Sequence, residues 1–405
     1  MEFIADLHLH SKYSRATSRD MDIPEMARYA KLKGISLLGS SDFTHPAWLS
    51  NLKAYLKEGE GNLFEYEGIR FILTSEVSNI YKDGDRLVKV HIILFSPSFS
   101  ICDRINEKLQ RYGSLFADGR PIFSLSCPDL VKILLDIDER IFIVPAHIWT
   151  PHFSVFGANS GFDSIEECFK EESLNIHCLE TGLSSDPKMN WRLSSLDKYT
   201  LISNSDAHSP AKIGREANVF NCELNYNSII SSLKNKRLKM TLEFFPEEGK
   251  YHYDGHRDCN VSQDPTKTKE AGLLCPKCGR KLTIGVMHRV LELADREDGF
   301  IPKGSIPYKN LIPLQEIIAF CLSKEPTSIM VKNEYLNLTR NVGSEFDILL
   351  KIKEDELYKQ IPERIFKGIM NVRKGRVYVS PGYDGVYGKI EIFREEKKPE
   401  QMSLF

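Results

Sequence analysis

The chain has 405 residues, of which 54 are basic and 56 acidic, giving a net charge of −2, with 41% hydrophobic and 27% charged residues. At about 150 residues per domain, that length accommodates two or three domains, each with room for a core. A near-neutral balance excludes a wholesale polyanion binder but leaves room for a local basic channel, and no apolar run approaches the roughly eighteen residues of a membrane helix.

The amino terminus carries Glu2 and Asp6 where a secretory signal would need basic residues, so no export is expected. Cys102, Cys127, Cys168, Cys178, Cys222 and Cys321 sit singly in ordinary segments, as reduced thiols of a cytoplasmic protein do. The first apolar run, Phe3-Ile4-Ala5, reads as a buried strand ending in Asp6-x-His8-x-His10, whose period of two puts both imidazoles on one side. Pro24 to Lys33, closed by Gly34, has the punctuation of a helix, with Met26, Tyr29, Ala30 and Leu32 expected against the strands.

Later apolar runs end in residues of the same chemistry. Ser36-Leu-Leu-Gly-Ser-Ser-Asp42 is followed by His45, Phe71-Ile-Leu-Thr-Ser leads to Glu76, and two further runs end in His91 and His147. Thr200-Leu-Ile-Ser-Asn-Ser leads to Asp206-x-His208. Helices are expected at Pro128 to about Asp136, Ser164 to about Glu171 and Tyr226 to Lys236, so residues 1–245 read as an α/β barrel. Imidazoles and carboxylates together suit Zn²⁺ or Mn²⁺, and strand ends are where barrel enzymes keep their chemistry.

The ordered set His8-x-His10, Asp42, Glu76, His91, His147 and Asp206-x-His208 resembles the polymerase-and-histidinol-phosphatase (PHP) superfamily of metal-dependent phosphoesterases. The resemblance implies a distorted (β/α)7 barrel in which His8, His10, Glu76 and Asp206 hold one ion and Glu76 bridges to a second, held by His91 and His147. Either Asp42 or His45 is expected to join His208 at a third, because Phe43 follows Asp42 and Ser14-Arg15-Ala16 stands where many relatives place another ligand. Two or three ions, Zn²⁺, Mn²⁺ or Mg²⁺, are implied, with Asp206, His208 and Glu76 at the catalytic centre. Glu180 is expected to orient a ligand histidine from behind. Arg15, Lys212 and Arg215 flank the metal motifs as phosphate contacts.

Residues 246–290 change character. Cys275-Pro-Lys-Cys278-Gly279 has the turn of a zinc knuckle, and the upstream His256-x₂-Cys259 completes a four-ligand structural Zn²⁺ site, with His252 and His288 competing for the histidine place. Beyond the knuckle a strand from Leu282 is expected to pass into a helix, and residues 291–393 to form an α-rich domain, with helical spacing at Pro313 to Leu322, Val342 to Leu350 and Pro362 to Val372, and a strand at Arg376 to Pro381. Arg364, Lys367, Arg373, Lys374 and Arg376 form a basic run suited to a nucleic-acid backbone.

Gly39-Ser-Ser-Asp-Phe-Thr-His-Pro46, Tyr251 to Cys259, Met287-His-Arg-Val-Leu-Glu-Leu-Ala-Asp295 and Pro381-Gly-Tyr-Asp-Gly-Val-Tyr-Gly-Lys-Ile390 resemble the endonuclease Q family nearly end to end. That likeness implies nicking of DNA on the 5′ side of deoxyuridine, deoxyinosine, deoxyxanthosine and abasic sites, leaving a 3′-hydroxyl and a 5′-phosphate. The tail 394–405 ends in Gln401-Met402-Ser-Leu404-Phe405, which resembles the peptide that docks on the bacterial β sliding clamp. A damaged-DNA partner, a clamp partner, no membrane and a cytoplasmic, nucleoid-associated location follow. The rival readings are a small-molecule phosphatase of the histidinol-phosphate kind and a non-catalytic DNA-binding adaptor.

Overall fold

The computed structural model describes residues 1–158 and 161–393; the clamp-docking residues Gln401, Met402, Leu404 and Phe405 lie outside them. Strand Glu2–Asp6 pairs in parallel with Leu37–Gly39, and that strand with the long Ile69–Asp83. Arg86–Ser96 folds back antiparallel on Ile69–Asp83 and pairs antiparallel with Phe142–Pro145. Phe142–Pro145 lies against Cys178–Glu180, the parallel partner of Thr200–Ile202, and a bridge between Leu9 and Ala207 returns the ring to the first strand. These seven strands form the expected barrel, distorted because Arg86–Ser96 runs against both neighbours.

Alternation along the strands sorts the core. Phe3 and Ala5 join a buried cluster with Ile72, Ile93, Phe142, Val144, Cys178 and Ile202, whereas Ile4 joins a larger one with Met26, Ala27 and Ala30 of helix Ile23–Lys33. That helix starts where Asp22 accepts the Glu25 amide and stops at Gly34, whose φ of 83° lets the amide bond back to Ala30 and Lys31. Met26 and Ala30 are buried, and Tyr29 and Leu32 half-buried, on the barrel. The helix expected from Ser164 keeps α geometry only over Ile165–Phe169; Lys170, at a φ of 51°, tightens it into a 3₁₀ turn.

Ala217–Asn221 and Leu238–Glu243 extend the sheet beyond the first strand, and Tyr308–Asn310 adds a parallel edge from the C-terminal part. No strand forms at Leu282. Thr283 makes a two-bond bridge to Gly255, then Gly285 comes so close to the His252 and Tyr253 carbonyls that the chain turns into helix Val286–Leu293. Helices Leu314–Leu322, Ile329–Asn341 and Glu363–Arg373 pack together, the middle one being absent from the sequence reading. Near Val342 the helix begins only after Ser344 caps the Asp347 amide, and it closes as a π turn over Asp347–Lys351.

This helical part is fastened to the barrel by a buried ion pair, Lys33 Nζ to Glu345 Oε2 at 2.9 Å, whose carboxylate also accepts from the Leu314 amide and the Tyr335 hydroxyl. No helix among the described residues is long and apolar enough to cross a membrane.

Candidate metal centre

His8, His10, His147 and Asp206 reach one rim from just beyond strand ends, but Glu76 and His91, expected to end their strands, lie inside Ile69–Asp83 and Arg86–Ser96, which run on past that rim. Glu76 stands opposite Ile93, and His91 two pairs further along opposite Ser78, so the two share a face of the hairpin. Glu76 Oε1 lies 2.8 Å from His91 Nδ1 and 3.0 Å from His147 Nε2; its other oxygen lies 3.2 Å from His10 Nε2 and 3.6 Å from His8 Nε2. Asp206 Oδ1 is 2.9 Å from His10 Nε2 and 3.8 Å from His8 Nε2, and the His208 ring lies 4.5 Å from that of His10. Three groups of potential ligands result: His8, His10 and Glu76; Glu76, His91 and His147; and His10, Asp206 and His208.

A second layer of carboxylates fixes the imidazoles. Glu180 meets His8 Nδ1 at 3.0 Å and also accepts from the His147 amide at 2.8 Å and Asn204 Nδ2 at 2.9 Å. Asp42 meets His10 Nδ1 at 3.1 Å and takes the Ser11 amide, Ser11 hydroxyl and Ser14 hydroxyl. With each Nδ1 committed outward, each Nε2 is turned to the rim. His8 Nε2, His10 Nε2 and Asp206 Oδ1 are buried there without a well-directed hydrogen bond, among carboxylates that favour positive charge at this point, a proton in the free chain or a metal ion in its place. The donor set fits a divalent ion of the Zn²⁺ or Mn²⁺ type.

Electrostatics agree. Burial would push the His8 and His10 imidazoles down, yet Glu180 and Glu76 around His8, and Asp42 and Asp206 around His10, hold both above the ordinary value. Burial would raise Glu76, but His91, Arg120 and His8 keep it well below the usual carboxylate range. His91 is pushed down to about 4 by burial, so it stands neutral with a lone pair available.

Other expected site residues point elsewhere. Asp42 backs His10 rather than facing the ligand groups, and His45, at the start of helix Pro46–Tyr55, stacks on Tyr13 at 4.5 Å. Neither belongs to the three groups, and the residues gathered beside His208 are His10 and Asp206. Lys212 pairs with Glu316 at 2.6 Å and Arg215 lies over the Phe244 ring, while Arg15 is 86% exposed on its side chain. In the basic run, Lys367 pairs with Glu363, Lys374 with Glu354, and Arg373 donates to the Ile348 and Ile352 carbonyls. Arg120, which no strand-end pattern marks, reaches Glu76 Oε2 at 3.0 Å.

Away from the rim, His256, Cys259, Cys275 and Cys278 gather their ligand atoms within 4.8 Å of one another. The hairpin Asp254–His256 with Val261–Gln263 brings the first pair, turned by Asn260 at a φ of 51°; Gly279, at 72°, closes the second. Against burial, the Lys277 and Cys278 amides hold the Cys275 thiol down at about 7, where thiolate is accessible. His288 is engaged by Asp254 at 2.7 Å, and His252 is buried outside the group. The glycine-rich loop after Pro381 docks on this module through Asp384, which accepts from the Arg257 amide and Thr283 hydroxyl.

A distorted seven-stranded barrel whose rim gathers imidazoles and carboxylates defines a metal-dependent phosphoesterase, and comparison with known proteins narrows the class. The chain superposes on the crystal structure of the lesion-specific endonuclease PfuEndoQ from Pyrococcus furiosus with a TM-score of 0.88 and 33% identity, covering 99% of this chain and 98% of that one. It matches a structure of endonuclease Q in complex with a 27-mer duplex carrying an abasic lesion at the active site with a TM-score of 0.86 and 33% identity, covering 99% and 100%. This chain belongs to the endonuclease Q family and is a metal-dependent nuclease.

Residues 313–376 match the family model of the MJ0043 C-terminal domain. The uncharacterized protein MJ0043 of Methanocaldococcus jannaschii is 33% identical over 257 residues, which is 62% of this chain but only 32% of that protein. The uncharacterized protein YqxK of Bacillus subtilis is 28% identical over 407 residues, 96% of this chain and 98% of its own length.

Proposed function

We propose that the chain is a DNA-repair endonuclease that hydrolyses the phosphodiester on the 5′ side of deaminated bases (deoxyuridine, deoxyinosine, deoxyxanthosine) and abasic sites, leaving a 3′-hydroxyl and a 5′-phosphate. The observation that carries this reading is the position of Glu76, one oxygen turned to His91 and His147 and the other to His8 and His10. In this reading His8, His10, Glu76 and Asp206 hold one ion and Glu76, His91 and His147 a second, while His208, beside Asp206, is left as the histidine for a third. Bound divalent ions lower the pKa of a water towards neutrality and offset charge on the reacting phosphate.

The protein side chains prepare that chemistry. Glu180 and Asp42 lock the tautomers and ring planes of His8 and His10, and the Asp206 side chain, 27% exposed, forms the open side towards DNA. Arg15 contacts a phosphate of the flanking strand from its exposed position. His256, Cys259, Cys275 and Cys278 hold one structural Zn²⁺. Gln401, Met402, Leu404 and Phe405 dock on the sliding clamp and place the enzyme in the cytoplasm at the nucleoid; truncation after Glu400 should abolish clamp binding and spare nicking of free oligonucleotides.

The test is a gel assay on end-labelled duplexes, each with one deoxyuridine, deoxyinosine or abasic site, in Mg²⁺, Mn²⁺ or Zn²⁺. Wild type should nick next to the lesion, and Asp206→Ala should bind but not nick. Cleavage by Asp206→Ala at the wild-type rate would overturn the assignment.

A further inference from the structure

We propose that Arg120 grips the charged oxygens of the scissile phosphodiester, a role that rests on the nuclease reading. Arg120 lies in the segment between helix Phe99–Leu109 and strand Ile122–Phe123, beside Glu76. The segment is pinned where it passes the ligand groups. The Gly119 amide donates to the Tyr13 carbonyl at 3.1 Å, the Thr44 hydroxyl to the Gly119 carbonyl at 3.3 Å, and the Ser78 amide to the Pro121 carbonyl at 2.9 Å. Asp118 accepts the Arg120 amide at 3.0 Å. A Cβ at position 119 would come 2.2 Å from Ser14 Oγ and 2.4 Å from Asp42 Oδ2, so only glycine lets the backbone lie this close to the support of His10.

The guanidinium that this loop delivers touches Glu76 with Nη1, yet its side chain is 25% exposed while that of Glu76 is wholly enclosed. Arg120 therefore spans from the ligand groups to the surface from which DNA must arrive. Even with only two of the divalent ions in place, four positive charges against the Glu76 and Asp206 carboxylates would leave an excess of two beside a permanently charged guanidinium. An anion in contact with both relieves that repulsion, and a phosphodiester offers two charged oxygens to a planar, forked donor. Lys212 and Arg215 make their contacts with Glu316 and Phe244, whereas Arg120 contacts a carboxylate of the ligand groups themselves, which places it best for the reacting linkage.

The experiment compares wild type, Arg120→Ala and Arg120→Lys under single-turnover conditions on an abasic duplex, with the full metal-loaded chain. Arg120→Ala should lower the plateau rate by about a hundredfold, and the salt dependence of its half-saturating concentration should flatten by about one unit of log-log slope. Arg120→Lys should keep the wild-type slope but recover only part of the rate. A duplex whose scissile linkage is an uncharged methylphosphonate should bind wild type and Arg120→Ala equally, and metal content should be unchanged. The proposal is overturned if rate and slope are unaltered in Arg120→Ala, if the methylphosphonate duplex still discriminates, or if the variant loses metal, which would make Arg120 a prop for Glu76. Failure of wild type to nick would instead remove the nuclease reading itself, and this proposal with it.

Discussion

Glu180 shows how much of a metal centre lies behind its ligands. It holds His8 through Nδ1 and the His147 backbone through its amide, so one carboxylate serves both ligand groups that share Glu76. Glu180→Ala should keep the fold by circular dichroism and weaken divalent-ion binding by about 10- to 100-fold in calorimetric titration; unchanged affinity would mean that the ring orientations are set elsewhere. A different carboxylate governs stability. Glu243 is buried, and burial, with Asp186 nearby, raises it to about 8 from 4.5. Thr181 and Ser203 each reach both Glu243 Oε2 and a backbone carbonyl, so either hydroxyl can accept a proton from the neutral acid and pass its own to Ile202 or Leu242. The folded chain holds this proton more tightly than the unfolded one. The resulting stability is complete below about pH 4.5, declines as pH rises, and is lost by about pH 8. Glu243→Gln should melt above wild type at pH 9, with the difference vanishing near pH 5; a difference that ignores pH would contradict a neutral Glu243.

At the scale of elements, the Cys/His module is a small hairpin and a knuckle with little core of its own, namely Val261, Cys275 and Leu282. The proposed zinc cross-link between His256-x₂-Cys259 and Cys275-x₂-Cys278 would then be what orders it. Cys275→Ser should remove one equivalent of zinc and expose 254–283 to limited proteolysis while the barrel stays intact; retained zinc would exclude Cys275 as a ligand. Elements were legible in the sequence where one residue marked their ends, as Pro24 and Gly34 do for the first helix, whose cap the structure places at Asp22. Helix Ile329–Asn341 was missed although Ser328 caps it and Val331, Tyr335 and Leu338 are spaced along one face, because polar residues separate them and Ile329 and Met330 remain exposed. Thr283 and Gly285 show the opposite error: an extended-looking run is cut short by contacts with residues some thirty positions earlier.

On the scale of the whole molecule, His8, His10, His147 and Asp206 could be read in advance because parallel strands hand the residues just past their ends to one rim, whereas Glu76 and His91 lie inside long strands that run on past it, Arg86–Ser96 in the opposite direction. Asp42, His45 and Arg120 could not be placed that way. Their roles depend on how the Gly119 segment crosses the rim, pressing on Asp42 and inserting Arg120 beside Glu76, and that crossing leaves no periodic mark in the sequence. The helical part is joined to the barrel through Lys33 and Glu345, and the Tyr308–Asn310 edge strand continues the barrel's sheet.

The central claim is that histidines and carboxylates of this rim hold the ions that break DNA at a lesion, and metal reconstitution tests it most directly. Chain stripped with a chelator should bind an abasic duplex without nicking it, and stoichiometric Mn²⁺ should restore a single break on the 5′ side of the lesion while leaving the undamaged duplex whole. Nicking by the stripped chain at the reconstituted rate, or equal cleavage of damaged and undamaged duplex after metal is returned, would contradict it.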